Sequence, residues 1–302
     1  FLLGPLVTKS EGFIFLLNSL PVVIFFSALV SLSSYWGIIQ RVVGGFSWLL
    51  RRFMNISGAE GLVASGNVFL GMTESPVLIK NYLQAMNRSE IFLVMVSGMG
   101  TIAGTVMGTY IGMLAGGDPV SRVLFAKHLL SASLMAAPGS IVLAKILCPQ
   151  TEKVDDRLVK MAKVGQHSTV LDALAAGTST GVRLMVNIAA MLFVFIAMVV
   201  LDNFILEGVI GRYTGLNDWI VSITVGTAQG LTFTFILGVI LSPFMWLIGV
   251  PYQDVMLVGS LLGQKTILNE FVAYFKLQEW KDAGLFLYKK SILMSTYILC
   301  GF

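Results

Sequence analysis

Two glutamates stand where an apolar segment should carry no charge. Glu74 lies in Gly71-Met72-Thr73-Glu74-Ser75-Pro76, midway through the apolar run 61–86, and Glu270 follows Asn269 within residues 255–280. A carboxylate at the bilayer centre costs about 2.5–3.5 kcal/mol on insertion scales, so an intramembrane Glu marks a functional site by default. Either one alone could instead cap a half-helix N-terminus, where the helix dipole favours it. Two, on two broken segments, favour a binding role. Asn67 on the first segment either meets a ligand or satisfies broken backbone. Thr101 by itself reads as a hydroxyl bonded back to its own helix, and Val106 by itself reads as packing. His128 and His167 have no nucleophile or ligand set around them, and Cys148 and Cys300 match no metal spacing. Enzyme chemistry therefore lacks a base partner, and the charge is too dispersed for a nucleic-acid polymer.

These residues must be held by membrane helices. Of 302 residues 56% are hydrophobic and 12% charged, the net charge is +4, and the mean hydropathy is +0.84. A soluble domain carries about 25% charged residues. No charge occurs in residues 13–40, 91–117, 184–201 or 231–253, and a helix needs roughly 20 apolar residues to span a bilayer. Spans are expected at 13–35, 91–114, 120–148 with an interruption at Pro138-Gly139, 184–201, and from Ser291 to the end. Residues 39–53 place Ile39, Val42, Val43, Phe46, Leu49, Leu50 and Phe53 on one face, as in an interfacial helix. Glycines at 100, 104, 108 and 112 make a groove for close backbone approach. Residues 151–166 read as a cytoplasmic loop. The chain begins at Phe1 and stops at Phe302 within an apolar stretch, which reads as a fragment missing both ends.

The second half repeats the first in outline. Residues 16–20 and 185–189 open comparable spans, and each half then reaches an interrupted hairpin. Paired interrupted segments in two halves point to a transporter binding site. Paired re-entrant loops also build channel filters, so a channel is the alternative. Lys276, Lys281, Lys289 and Lys290 would lie outside if the second hairpin enters from the opposite face, against the positive-inside tendency.

At the hairpins the chain resembles the concentrative nucleoside transporter family. Residues 71–76 are similar to the family's Gly-Gln-Thr-Glu-Ala-Pro, and Asn269-Glu270-Phe271-Val272-Ala273-Tyr274 reads as its Asn-Glu-Phe-Val-Ala-Tyr. Ala103-Gly104-Thr105-Val106 and residues 245–251 look like family segments too. The resemblance implies an all-α polytopic membrane protein with inverted repeats, each carrying a re-entrant helical hairpin, and a scaffold plus a mobile transport domain. It assigns residues 1–37 to a scaffold helix and 38–53 to the interfacial helix. Residues 54–150 would be the first part of the transport domain, with hairpin 1 at about 58–86. Residues 151–205 would be the cytoplasmic loop and a scaffold helix. Residues 206–302 would complete the transport domain, with hairpin 2 at about 255–280 and the start of the next helix.

The same resemblance implies ion-coupled nucleoside symport by alternating access, in a homotrimer embedded in the lipid of the cell membrane (the inner membrane in a bacterium). The hairpin tips would meet near the bilayer middle with the substrate between them. Met72, Thr73, Glu74 and Val106 would face the base, and Asn269 and Glu270 from the second hairpin would also bind the substrate. Glu270 would hold the ribose hydroxyls, since a carboxylate accepts two hydrogen bonds from a vicinal diol. A sodium ion would be held by Asn67, Thr101 and the carbonyls of Leu70 and Ile102, hard oxygens that suit a hard cation. Proton coupling is the alternative. Met72 departs from the family's Gln, which leaves base preference open. The family's further Asn and Ser ligands would fall beyond Phe302.

Overall fold

The computed structural model describes residues 20–72, 74–115, 118–152, 168–223 and 230–301. Among these every regular element is helical. The expected cytoplasmic loop, the start of the first span and His167 fall wholly or mostly outside the described residues. The chain divides into two compact units, residues 1–186 with 300–302, and residues 187–299. Each is described by itself.

In the first unit, α1 (Leu20–Tyr35) gives way to α2 (Ile38–Met54) through a bend of 78°. Gly37 at φ 72° makes the corner. Helix α2 buries Val43, Ser47 and Leu50 and exposes Trp48 and Phe53, as its amphipathic spacing requires. Next comes α3 (Gly58–Asn67), all ten residues of which are buried. Small residues allow this: a methyl group at Gly61 would sit 2.8 Å from Ser47 Oγ. A capping box starts the helix, with Glu60 N donating to Ser57 Oγ at 3.2 Å and Ser57 N to Glu60 Oε2 at 2.8 Å. The chain then turns at Gly71, φ 95°, and returns through two short 3₁₀ turns, Ser75–Ile79 and Leu83–Ala85. Ser75 Oγ donates to Val63 O at 2.9 Å and closes the hairpin.

Three expectations are corrected here. The span at 91–114 is two helices, α4 (Arg88–Met99) and α5 (Gly104–Ala115). The amides that would continue α4 go elsewhere: Gly104 N donates to Phe69 O at 3.2 Å, and Ile102 N to Ser133 Oγ at 3.3 Å. By contrast α6 (Pro119–Leu147) runs unbroken through Pro138. Its buried face, Ala137, Ile141 and Ala144, packs with Leu50, Ile56, Ala64, Val68 and Leu93, and such packing holds a helix that has lost one hydrogen bond. Helix α7 (Val170–Asn203) starts well before residue 184, because Arg183 ends a charge-free run without ending a helix. Its Gly177 and Gly181 admit α1, with Ser27 Oγ donating to Gly177 O at 2.9 Å and Ser31 Oγ to Ala173 O at 2.8 Å. The expected glycine groove is used in part. Gly104 meets the Phe69 backbone and Gly108 the Phe26 ring, whereas Gly112 faces open space.

At the start of α6, Asp118 accepts from Val120 N and Ser121 N at 3.2 and 2.8 Å. Its hydrogen bonds with Ser121, then with Val120, hold the carboxyl below the usual carboxylate range. At the other end, Lys145 Nζ donates to Glu60 Oε1 at 2.5 Å, Ser89 Oγ at 3.1 Å and Gln150 Oε1 at 3.1 Å. Glu60 has no exposed surface. Removing one partner of a buried pair costs about 3 kcal/mol because the other charge is stranded. Glu60→Ala is accordingly expected to lower the unfolding midpoint in detergent clearly, and adding Lys145→Met to restore part of the loss, since the capping bond from Ser57 N stays broken. A single variant as stable as the parent would show that the pair does not tie the hairpin base.

In the second unit a π-helical stretch, Phe204–Gly211, and a short turn, Arg212–Thr214, precede α8 (Leu216–Ile223). Helix α9 (Phe233–Ile248) packs against α10 (Val255–Ile267) through Gly238, Gly259 and Gly263; a methyl at Gly259 would lie 3.0 Å from Gly238 O. After a break at 268–269 come α11 (Glu270–Asp282) and α12 (Lys289–Ile298). Buried Asp254 accepts from Leu287 N and Tyr288 N, both at 3.1 Å, and so ties the start of this hairpin to the segment leaving it. The span expected from Ser291 to the end stops at Ile298, and Gly301 turns the chain at φ 119°.

Among the described residues three helical stretches, Arg88–Ala115 across its break, Pro119–Leu147 and Val170–Thr214, are long and apolar enough to cross a membrane, or four with the bent pair α1–α2.

Candidate functional site

Asn67 is the last residue of α3 and is fully buried. Its Nδ2 donates to Ser97 Oγ at 2.9 Å, while Ser97 Oγ donates to Val94 O at 3.2 Å. A serine hydroxyl has one proton. Spending it on Val94 leaves Ser97 able only to accept from Asn67, which turns the carboxamide oxygen away. That oxygen, Oδ1, is buried without a hydrogen-bond partner. An orphaned buried acceptor costs about 1–3 kcal/mol and calls for a positively charged or donor group.

Thr101 Oγ1 lies within donating distance of Asn67 O at 3.1 Å and Ser97 O at 3.3 Å. Its proton is thereby taken up and its lone pairs remain to accept. The break after α4 thus faces the end of α3, bringing Asn67 and Thr101 together. Leu70 and Ile102 are both buried. The carbonyls flanking Leu70 are occupied, Phe69 O by Gly104 N and Gly71 O by Ser75 N. Among the described residues no group of three His, Cys, Asp or Glu side chains is placed to hold a metal. Amide, hydroxyl and carbonyl oxygens are the ligands of a hard cation rather than a soft one.

Met72 is 43% exposed, and its Cβ would lie 3.0 Å from a methyl group placed on Gly98. Gly98 therefore lets the hairpin tip settle on α4. Thr73 lies outside the described residues. Glu74 and Val106 are half-buried. In the second unit, Asn269 caps α11, its Oδ1 accepting from Val272 N at 2.9 Å, so its Nδ2 is the group left to reach a ligand. Glu270 occupies the first turn of α11 and is 7% exposed. Sequence reasoning missed Ser97, Gly98 and Ser133. Only Ser97 left a signal, its spacing of four from Thr101, which puts both on one helix face.

Broken helices that present polar tips and helix-end carbonyls within apolar segments are the construction of secondary transporters. Comparison with known proteins gives the class its family. The profile of the Na+ dependent nucleoside transporter C-terminus matches residues 128–302, and that of a nucleoside-recognition gate matches residues 16–116. A transporter of Haemophilus influenzae is 36% identical over 298 residues, 98% of this chain and 66% of that protein. Sodium/nucleoside cotransporter 2 of Rattus norvegicus is 34% identical, with 100% of this chain and 44% of that protein covered. The structure of CNTnw in an inward-facing substrate-bound state superposes with a TM-score of 0.84 at 34% identity, covering 100% of this chain and 68% of that one.

The chain belongs to the concentrative nucleoside transporter family. It is an all-α polytopic membrane protein, and its relatives are transporters, not enzymes. It spans just under two thirds of the Haemophilus protein and less than half of the rat one.

Proposed function

We propose that the protein moves nucleosides across the cell membrane in symport with sodium, by alternating access. The observation that carries the reading is the buried, partnerless Oδ1 of Asn67 beside the Thr101 hydroxyl, on a chain that matches a sodium-dependent nucleoside transporter profile. Sodium is assigned to Asn67, Thr101 and the carbonyls of Leu70 and Ile102. The base is assigned to Met72, Thr73, Glu74 and Val106, and the ribose to Glu270 with Asn269. Residues 1–37 serve as a scaffold helix, residues 151–205 as the cytoplasmic loop and a scaffold helix, and residues 38–53 as the interfacial helix. Residues 54–150 and 206–302 form the moving part, and three copies make the working assembly.

Labelled uridine uptake into liposomes, compared in sodium and choline buffers at fixed pH, tests this. Saturable, sodium-dependent uptake blocked by excess adenosine is the expected result. Uptake that ignores sodium and follows an imposed proton gradient would discard the ion, and no saturable uptake by folded protein would discard the substrate.

A further inference from the structure

The π-helical stretch Phe204–Gly211 stands apart from the hairpins, and it brings together what an α-helix would separate. Glu207 and Arg212 are five residues apart in the chain. On an α-helix they would point about 140° apart, whereas a π-turn closes on the fifth residue and leaves them on one side. Both line a cavity of about 400 Å³, together with Val200, Asn203, Phe204 and Asn217.

The two amides build its floor. Asn217 Nδ2 donates to Glu207 O at 3.0 Å and its Oδ1 accepts from Leu231 N at 2.9 Å, while Asn203 Oδ1 accepts from Phe233 N at 2.9 Å. A methyl group at Gly211 would collide with Asn217 Oδ1, so glycine is what lets this amide cross. The charged groups are left over. Among the described residues no ion pair joins the Glu207 carboxylate to the Arg212 guanidinium.

The cavity has a membrane side and a water side. The charge-free residues 184–201 of α7 rise about 27 Å, close to the hydrocarbon thickness of roughly 30 Å, and Asp202 ends them. The turns that follow therefore belong to the headgroup layer. Tyr213 and Trp219, 86% and 59% exposed, are the amphipathic rings that sit at that level. Along the helix the lining passes from exposed, apolar Val200 and Phe204 to Glu207, Arg212 and Asn217. That gradient is the one a phospholipid carries from its chains to its head.

We propose that this cavity binds the headgroup of a phospholipid with a primary amine, the ethanolamine class. Its phosphate meets the planar fork of Arg212, its ammonium meets Glu207, and its chains leave past Val200 and Phe204. A quaternary ammonium has no N–H to give a carboxylate and is held instead by aromatic cages. Among the described residues that line the cavity Phe204 is the only aromatic one. A lipid without the amine leaves Glu207 unanswered.

The test adds phosphatidylethanolamine, phosphatidylcholine or phosphatidylglycerol to the delipidated protein in detergent. Native mass spectrometry counts the lipid retained, and thermal unfolding without lipid controls for folding. The ethanolamine lipid is expected to bind about tenfold more tightly than the other two. Glu207→Gln should lower its affinity about tenfold, to the level of the choline lipid, whose own binding stays put. Arg212→Gln should weaken all three lipids, because all three carry the phosphate.

A folded Glu207→Gln or Arg212→Gln protein that binds lipid as the parent does overturns the proposal. So does a parent that takes the three lipids alike, which is the measurement that decides if a variant fails to fold. Soluble glycerophosphoethanolamine separates a lipid from a free headgroup: without chains to bury it should bind at least about a hundredfold more weakly, and equal affinity would overturn the lipid assignment. A variant whose assembly mass changes while its lipid binding does not would give the cavity to a second copy of the chain instead.

Discussion

Nucleoside uptake by Glu270→Gln is expected to fall by about a hundredfold or more, with the protein still folded. Glu270 is nearly buried in the first turn of α11, where the helix dipole supports a carboxylate. Hydrogen bonds to a charged acceptor are worth about 1.5–3 kcal/mol each, and two of them to a vicinal diol multiply to that loss. Gln keeps the shape, but it turns one acceptor into a donor that faces a hydroxyl with the wrong polarity. The loss should fall on ribosides, so 2′-deoxy substrates should be penalised less. Liposome uptake of uridine and deoxyuridine, with thermal unfolding as the control for folding, reads this directly. Full uridine transport by the variant would remove Glu270 from the ribose.

Asn67→Ala should raise the sodium concentration for half-maximal uptake by about thirtyfold, the equivalent of roughly 2 kcal/mol for one lost charge-assisted ligand. The uridine KM measured at very high sodium should return close to the parent's, since Asn67 is assigned to the ion alone. The same variant leaves Ser97 without the amide whose orientation it sets. Sodium titrations at several uridine concentrations separate the two effects. An unchanged sodium curve would move the ion elsewhere.

The parts of this fold that were legible in the sequence were those announced by a chemically costly residue. Glu74 before Pro76 and Asn269-Glu270 in apolar surroundings marked both hairpin breaks, because a charge cannot be hidden in a spanning helix without reason. The break at 100–103 carries no such mark. Its residues are as apolar as any span, and it exists because Phe69 O and Ser133 Oγ, distant in sequence, claim the amides of Gly104 and Ile102. Pro138 misled in the other direction, since packing around Ala137 and Ile141 holds α6 continuous. Two capping boxes, Ser57 with Glu60 and Asn87 with Glu90, fix where α3 and α4 begin. The site was legible as residue types, whereas the orientation of the Asn67 amide was not. It depends on which oxygen receives the one proton of Ser97.

The return limb of the first hairpin has three residues per turn rather than 3.6. Side chains three apart therefore eclipse one another, and the limb has flat, non-drifting edges. Ser75 and Leu78 lie on a buried edge, while Val77 and Lys80 lie on an exposed one. Adding or deleting a residue here would rotate everything beyond it by a third of a turn. One such indel could carry Lys80 onto the edge that Leu78 now occupies. The limb is a fixed-length spacer, and evolution can vary what its side chains are far more readily than how many there are.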